Sequence, residues 1–339
     1  MKLSRHLVSL TAVALICPLI TACNAASAET VQTAPVPVQP GTEWVTLGTM
    51  GGPMPNATRG EPANLLVHDN RYDLVDAGDG AATAFLRSGG NFRRLRSIWI
   101  SHIHFDHIGG LFGVLGLRLQ TRTEDPLTIY GPPGTKAIVA GLIDAMKPSA
   151  RSGFGVPGEI PIDPAASVEV VELDDGDKVT LGDMTVTAAG NTHYSFPPGS
   201  QEAKDFRSLS FRFDLPGKSI VYTGDTGPSE AVTRLATGAD MLVTELIDIE
   251  ATISNIRRRA KDLNSQDLAN METHLRTHHI TTRDIGEMAE AAGVKSVVIT
   301  HLAGGGATDK EAAARYVHEV NETYPGPVTV ANDLDRFTP

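Results

Sequence analysis

Ser101-His102-Ile103-His104-Phe105-Asp106-His107-Ile108-Gly109-Gly110 is the stretch on which the reading of this chain turns. Three histidines and an aspartate follow directly on the apolar run Ile98-Trp99-Ile100. Imidazole nitrogen and carboxylate oxygen are the donors that zinc and similar divalent ions take. His102 and His104, two apart at a strand exit, point the same way. Asp106 and His107 lie beyond a turn and face a second position beside the first. Gly109-Gly110 is expected to let the backbone bend tightly before a helix begins. A lone histidine is more often a satisfied core or surface residue than a ligand. Four donors this close together read as a metal site.

Working outward, 339 residues make one large domain or two small ones. Aliphatic and glycine-rich composition with few aromatics suits an α/β fold with many tight turns. The formal net charge is -11, and loss of Lys2 and Arg5 with a leader makes the remainder more acidic still. Such a surface repels phosphate backbones, so no nucleic-acid partner is expected. A small anionic substrate stays open, because two bound metal ions reverse the local field.

The N-terminus reads as an export signal: Lys2 and Arg5 precede the apolar run Leu7 to Ile20, short for a bilayer span. Ile20-Thr21-Ala22-Cys23 resembles the bacterial lipobox, in which the cysteine is lipidated and becomes the new N-terminus. Residues 1–22 are then a lipoprotein-type signal and Cys23 a membrane anchor. Asn24 after it leans towards the outer membrane, on its periplasmic face. The alternative is ordinary cleavage after Ala26-Ser27-Ala28, giving a soluble periplasmic protein. Cys17 lies inside the signal, so no internal disulfide and no second thiolate remain after processing. Residues 23–43, with Pro35, Pro37 and Pro40 and no periodicity, read as an extended tether. The folded domain is expected over 44–339, and a homodimer is left open.

Strands are expected at 64–67, 72–76, 96–101 and 127–130, with helices near 81–89, 110–120 and 135–146, the last stopped by Pro148. The Gly- and Pro-rich segment 149–166 reads as a long surface loop and a candidate substrate-facing flap. Strands at 168–173, 178–181 and 183–188 lead to His193, and the hairpin 208–213/219–223 leads to Asp225. The strand 241–245 precedes a polar, helical 250–275. A helix at 282–292 precedes a strand that ends at His301. The alternation predicts two mixed sheets packed together with helices outside. Polar residues recur where strands end, the usual place for α/β sites. Arg257-Arg258-Arg259 reads as a solvated helix face rather than an anion patch.

His102, His104, Asp106 and His107 match the H-x-H-x-D-H motif of the metallo-β-lactamase superfamily, which the chain resembles over residues 44–303. His193, Asp225 and His301 match its remaining ligand positions. Leu47-Gly48-Thr49, Asp76-Ala77-Gly78, Gly131-Pro132-Pro133-Gly134 and the segment from His279 to His301 are similar to its ribonuclease Z and arylsulfatase branch. The resemblance implies a four-layer αβ/βα sandwich and a site for two divalent ions, usually zinc. It gives His102, His104 and His193 to one ion, Asp106, His107 and His301 to the other, and Asp225 to both. Two ions side by side lower the pKa of a water held between them. By the same resemblance Asp106 accepts a proton from that water, Asp76 supports a ligand histidine, and Glu245 stands in a motif whose preceding histidine is here Thr244. His279 is the candidate leaving-group acid or oxyanion donor, with His274 and His278 read as structural or exposed.

A β-lactamase is disfavoured because true β-lactamases lack the bridging aspartate. Ribonuclease Z activity is disfavoured because the segment between His193 and Asp225 leaves no room for that family's tRNA-holding arm. The expectation is therefore an exported hydrolase of an ester bond in a small molecule. An aryl sulfate ester leads, with phosphodiesters and lactones as alternatives.

Overall fold

The computed structural model describes residues 41–339 except Pro53, Ala260 and 305–308. The expected signal, Cys23 and nearly all of the tether lie outside the described residues. Among the described residues the first strand is β1 (Thr42–Gly48).

The first half of the chain builds one sheet. Its strands are β1, β2 (Ala63–His68), β3 (Arg71–Ala77), β4 (Leu95–Trp99), β5 (Leu127–Gly131) and β6 (Val168–Glu172). The second half builds another from β7 (Lys178–Leu181), β8 (Met184–Gly190), β9 (Leu209–Leu215), β10 (Lys218–Tyr222), β11 (Met241–Ile247), β12 (Val297–Ala303) and β13 (Val328–Val330). The last strand, β14 (Arg336–Phe337), returns to pair antiparallel with β1. The orders are β14-β1-β2-β3-β4-β5-β6 and β13-β12-β11-β10-β9-β8-β7. Each sheet is mixed: β3 to β6 and β10 to β13 run parallel, and the outer strands alternate.

Between the sheets lies an aromatic core in which Trp99 stacks on Tyr130 at 4.2 Å and meets Phe211 and Phe213 edge-on. The outer face of the first sheet is covered by α1 (Ala81–Arg87), α3 (Leu111–Gln120) and α4 (Thr135–Ser152), with the one-turn α2 (Phe105–Ile108) at its end. The short α5 (Gln201–Asp205) precedes β9. The second sheet is covered by α6 (Glu230–Leu235), α9 (Thr282–Ala292) and α10 (Lys310–Asn321), while α7 (Ile249–Arg259) and α8 (Ser265–Thr277) form a separate small cluster. This is the four-layer sandwich expected. Burial of one apolar face of each sheet against its partner and of the other against helices is what makes two layers of each kind the stable solution.

Two expectations fail in instructive ways. The helix α4 passes through Pro148 and ends at Ser152. Proline there removes one helical hydrogen bond, but Pro148 and Asp144, whose carbonyl loses its partner, are both exposed, so that carbonyl is open to solvent. Residues 250–275 are helical as expected, divided into α7 and α8, the latter starting where the Asn264 side chain accepts from the backbone N–H of Asp267 at 2.9 Å. Gly110 has a negative φ, so no left-handed bend is made there. A Cβ at Gly110 would instead lie 2.1 Å from the carbonyl oxygen of Gly78, and close approach to the end of β3 is what demands glycine. Arg257 pairs with Glu272 of α8, and Arg258 with Asn255, as befits a solvated face.

Candidate metal centre

The parallel strands β3, β4, β10, β11 and β12 end on one side of the sandwich, and their exits carry the chemistry. His102 follows β4 and is fully buried. Asp106 and His107 ride on α2, His193 lies three residues past β8, and Asp225 three residues past β10. His301 does not close its strand as expected; it sits inside β12 with a left-handed φ of 43°. The register between β11 and β12 slips there: between the pairs Thr244–Ile299 and Leu246–Leu302, one residue of β11, Glu245, faces two of β12, Thr300 and His301. That bulge turns His301 towards the other donors. A Cβ on Gly51 would fall 2.5 Å from the His301 ring, so the loop after β1 must present glycine to it.

All seven expected ligands converge, in two sets. In the first, His104 Nδ1 lies 3.0 Å from His102 Nε2 and 3.1 Å from His193 Nε2. His193 Nδ1 is 3.0 Å from the His278 carbonyl and donates to it, which leaves Nε2 as a bare lone pair. In the second, Asp225 Oδ1 lies 3.0 Å from His301 Nε2 and 3.3 Å from His107 Nε2, with Asp106 Oδ2 at 3.6 Å from both rings. Asp225 Oδ2 reaches within 4.0 Å of His102, so its carboxylate spans the two sets. His107 Nε2, Asp225 Oδ1 and both His301 nitrogens are buried without a hydrogen-bond partner. Orphaned buried polar atoms are costly in isolation. Donors at about 2.0–2.1 Å from a tetrahedral ion stand roughly 3.3 Å apart, which is the spacing found here. The residues fit two divalent ions, with Asp225 shared.

Electrostatics agree. Burial opposes ionisation of Asp106 and Asp225, yet the surrounding His107 and His301 hold both well below the usual carboxylate range. Burial likewise disfavours charge on His301, but the two aspartates push it up to about 10. His102 and His193, with less compensation for their burial, are pushed down and stay neutral. The second set is thus a pocket that demands positive charge, and the first supplies neutral imidazole, the form that binds metal.

Asp76 carries the support the sequence assigned to it. Fully buried at the end of β3 with a φ of 56°, it accepts from the Ser101 N–H at 2.7 Å, the Ser101 hydroxyl at 2.8 Å, the Tyr222 hydroxyl at 2.7 Å and His107 Nδ1 at 2.8 Å. His107 is thereby held with Nε2 facing the donor cluster. Glu245 does the same for His279: Oε2 takes His279 Nδ1 at 2.6 Å, and Oε1 takes the Thr226 N–H at 2.6 Å. Burial lowers the His279 pKa, but Glu245 and Asp225 outweigh it and raise the net value. A capping box at Thr281 and Asp284 fixes the start of α9, and the Ile280 carbonyl accepts from the Ile247 N–H, so the chain directly after His279 is anchored.

The donors open into a cavity of about 560 Å³. His279 lines it, as do Gly52, Phe105, Tyr194 and Phe196, and its far wall is α8 with Asn270, Met271, His274 and Leu275. No residue of 149–166 reaches it, so the flap expected there is placed elsewhere, packed around Phe112 and Arg122. His274, read from sequence as structural or exposed, faces His193 and His104, and burial beside three other histidines lowers its pKa to about 4. Its four-residue spacing from His278 on a helix was the available signal, since the two Nδ1 atoms meet at 2.8 Å. Nothing local marked Asn270 or Met271.

Residues 71–302 match the family described as "Beta-lactamase superfamily domain". A curated relative, "Ribonuclease Z" of Mycobacterium avium (strain 104), is 30% identical over 297 residues, 86% of this chain and 96% of its own. Among solved structures, the metallo-β-lactamase fold protein YhfI from Bacillus subtilis superposes with a TM-score of 0.63 at 18% identity, over 88% of this chain and 99% of that one. Zn(2+)-bound PqqB from Methylobacterium extorquens gives 0.60 at 17% identity, over 88% and 100%.

Proposed function

Since the chain belongs to the metallo-β-lactamase superfamily, in its ribonuclease Z-like branch, and its donor set is that of a metal-dependent hydrolase, we propose that the bond it cleaves is a phosphodiester. The observation that carries the reading is the Asp225 carboxylate spanning two donor sets, with the His279–Glu245 pair on the cavity side. Relatives named for RNA cleavage favour phosphorus over sulfur, and the aryl sulfate ester that led from sequence gains no comparable support.

His102, His104 and His193 would hold one ion and Asp106, His107 and His301 the other; zinc is the proposed metal, as in the PqqB structure. When bound, such a pair activates water and neutralises charge on phosphoryl oxygens. The chain's own groups then do the rest. Asp106 is kept ionised by its histidine neighbours and oriented by the Gly52 N–H at 3.0 Å, so it takes the proton of the attacking water. His279, its Nδ1 committed to Glu245, has Nε2 left for the leaving oxygen and hands it a proton. A small substrate is favoured over tRNA because only α5 and the β9–β10 hairpin lie between His193 and Asp225. We place the enzyme outside the cytoplasm, anchored through Cys23, on the strength of its leader.

Initial rates of the zinc-loaded mature chain on bis(p-nitrophenyl) phosphate and p-nitrophenyl sulfate, side by side, test this. Preference for the diester, abolished by Asp106→Ala, is expected. Preference for the sulfate would overturn the phosphodiester reading, and turnover of neither with metal bound would direct the search to lactones.

A further inference from the structure

A run of aromatic rings leads outward from the cavity: Tyr194 and Phe196 line it, and Phe206 adjoins Phe196 outside the lining. Tyr194 meets the His104 ring edge-on at 5.3 Å, Phe196 lies 5.6 Å from Tyr194, and Phe206 lies 5.8 Å from Phe196. Phe105 stands on the other lip, 78% exposed, beside the ligands His104 and Asp106. Phe196 and Phe206 are themselves 38% and 41% exposed. Aromatic residues make up only 5% of this chain, so three lining one opening with Phe206 beside them, three of the four open to solvent, are not explained by core packing. Their loop is held in place: Ser200 caps α5 through the Ala203 N–H at 3.1 Å, and Arg207 pairs with Asp174 at 2.7 Å. Among the described residues that line the cavity there is no lysine or arginine. The outer wall thus offers no fixed positive charge and suits an uncharged, planar group.

We propose that the ladder Tyr194–Phe196–Phe206 is a subsite for a planar aromatic substituent of the ester, an aryl ring or a nucleobase. This rests on the phosphodiester reading and names its substrate class. An ester group at the donor clusters places the neighbouring substituent against Tyr194 and Phe196, because the first rung touches the ligand His104. Offset or edge-on stacking there adds to plain apolar burial, and each ring contact of this kind is worth about tenfold in affinity.

Calorimetric titration of the zinc-loaded full mature chain with phenylphosphonate and methylphosphonate tests it without turnover. The wild type is expected to bind phenylphosphonate about tenfold more tightly. The ratio should fall towards one in Phe196→Ala, fall less in Phe206→Ala, and be only partly restored in Phe196→Leu, with zinc content and methylphosphonate affinity unchanged. Thymidine 5′-monophosphate serves as the third probe: binding tighter than phenylphosphonate and lost in the same variants assigns the subsite to a nucleobase, weaker binding to a simple aryl group. No preference for phenylphosphonate in the wild type, or a preference unchanged in both alanine variants, would overturn the proposal. Phenylphosphonate held through Phe196 by a chain that leaves bis(p-nitrophenyl) phosphate intact would sink the phosphodiesterase reading and keep this one; turnover without aryl preference would do the reverse.

Discussion

Replacing Asp76 by asparagine perturbs the metal centre without touching a ligand. The native Oδ2 serves three donors, the Ser101 hydroxyl, the Tyr222 hydroxyl and His107 Nδ1, and Oδ1 serves the Ser101 N–H. Asparagine keeps the shape but has one acceptor oxygen. Placed at Oδ2 it preserves three contacts and turns an NH₂ group against the buried Ser101 N–H. That leaves a donor without a partner, at a cost of about 1–3 kcal/mol. The opposite flip is worse, because His107 then loses the acceptor that keeps its Nε2 bare for metal. Thermal unfolding of the metal-free chain should therefore show a loss in that range, and competition with a chromophoric chelator a roughly 10–100-fold weaker zinc affinity. Unchanged zinc affinity alongside the stability loss would refute the claim that Asp76 orients His107.

The remaining predictions concern catalysis, acid stability and the leader. His279→Gln should lower turnover of a poor leaving group by about 10²–10⁴-fold but that of p-nitrophenolate, which needs no proton, far less; equal losses would deny His279 the acid role. Asp248 is opposed by burial, but accepting from Arg315 Nη2 at 2.7 Å and the Tyr316 hydroxyl at 3.0 Å holds its pKa below the ordinary value. Its stabilising contribution is thus complete above the unfolded carboxylate pKa and is lost as pH falls through the lower folded one. The urea midpoints of wild type and Asp248→Asn should differ near neutrality and converge towards pH 3, and a constant gap would contradict this. Cells expressing the full chain should incorporate labelled palmitate, and Cys23→Ser should not; an unlabelled wild type would instead support cleavage after Ala28.

How much was legible depends on how local each signal is. His102 to His107 sit together in the chain, so their chemistry needed no fold to be read. His193, Asp225 and His301 were each a weak signal, a polar residue where a strand was expected to end, and the family pattern is what assigned them as ligands. The two sheets followed from strand periodicity, but the return of β14 to β1 did not, since Arg336–Phe337 is too short to show any. The cavity wall was misassigned for a physical reason: glycine and proline in 149–166 report exposure to solvent, not which face is exposed. The true wall, α8, looks like an ordinary polar helix, and only tertiary packing turns His274 and Met271 towards the site. His301 was placed at a strand end because a left-handed φ inside a strand has no sequence signature when the residue is not glycine.

The central claim is that Asp225 joins two donor sets into one centre for two ions. Elemental analysis of the zinc-loaded, dialysed wild type beside Asp225→Ala tests it most directly, with hydrolysis followed on the same samples. The account predicts two zinc ions per wild-type chain, fewer in the variant, and activity that disappears on chelation and returns with zinc. A folded wild type that retains one ion or none, or a variant that retains two, would contradict it.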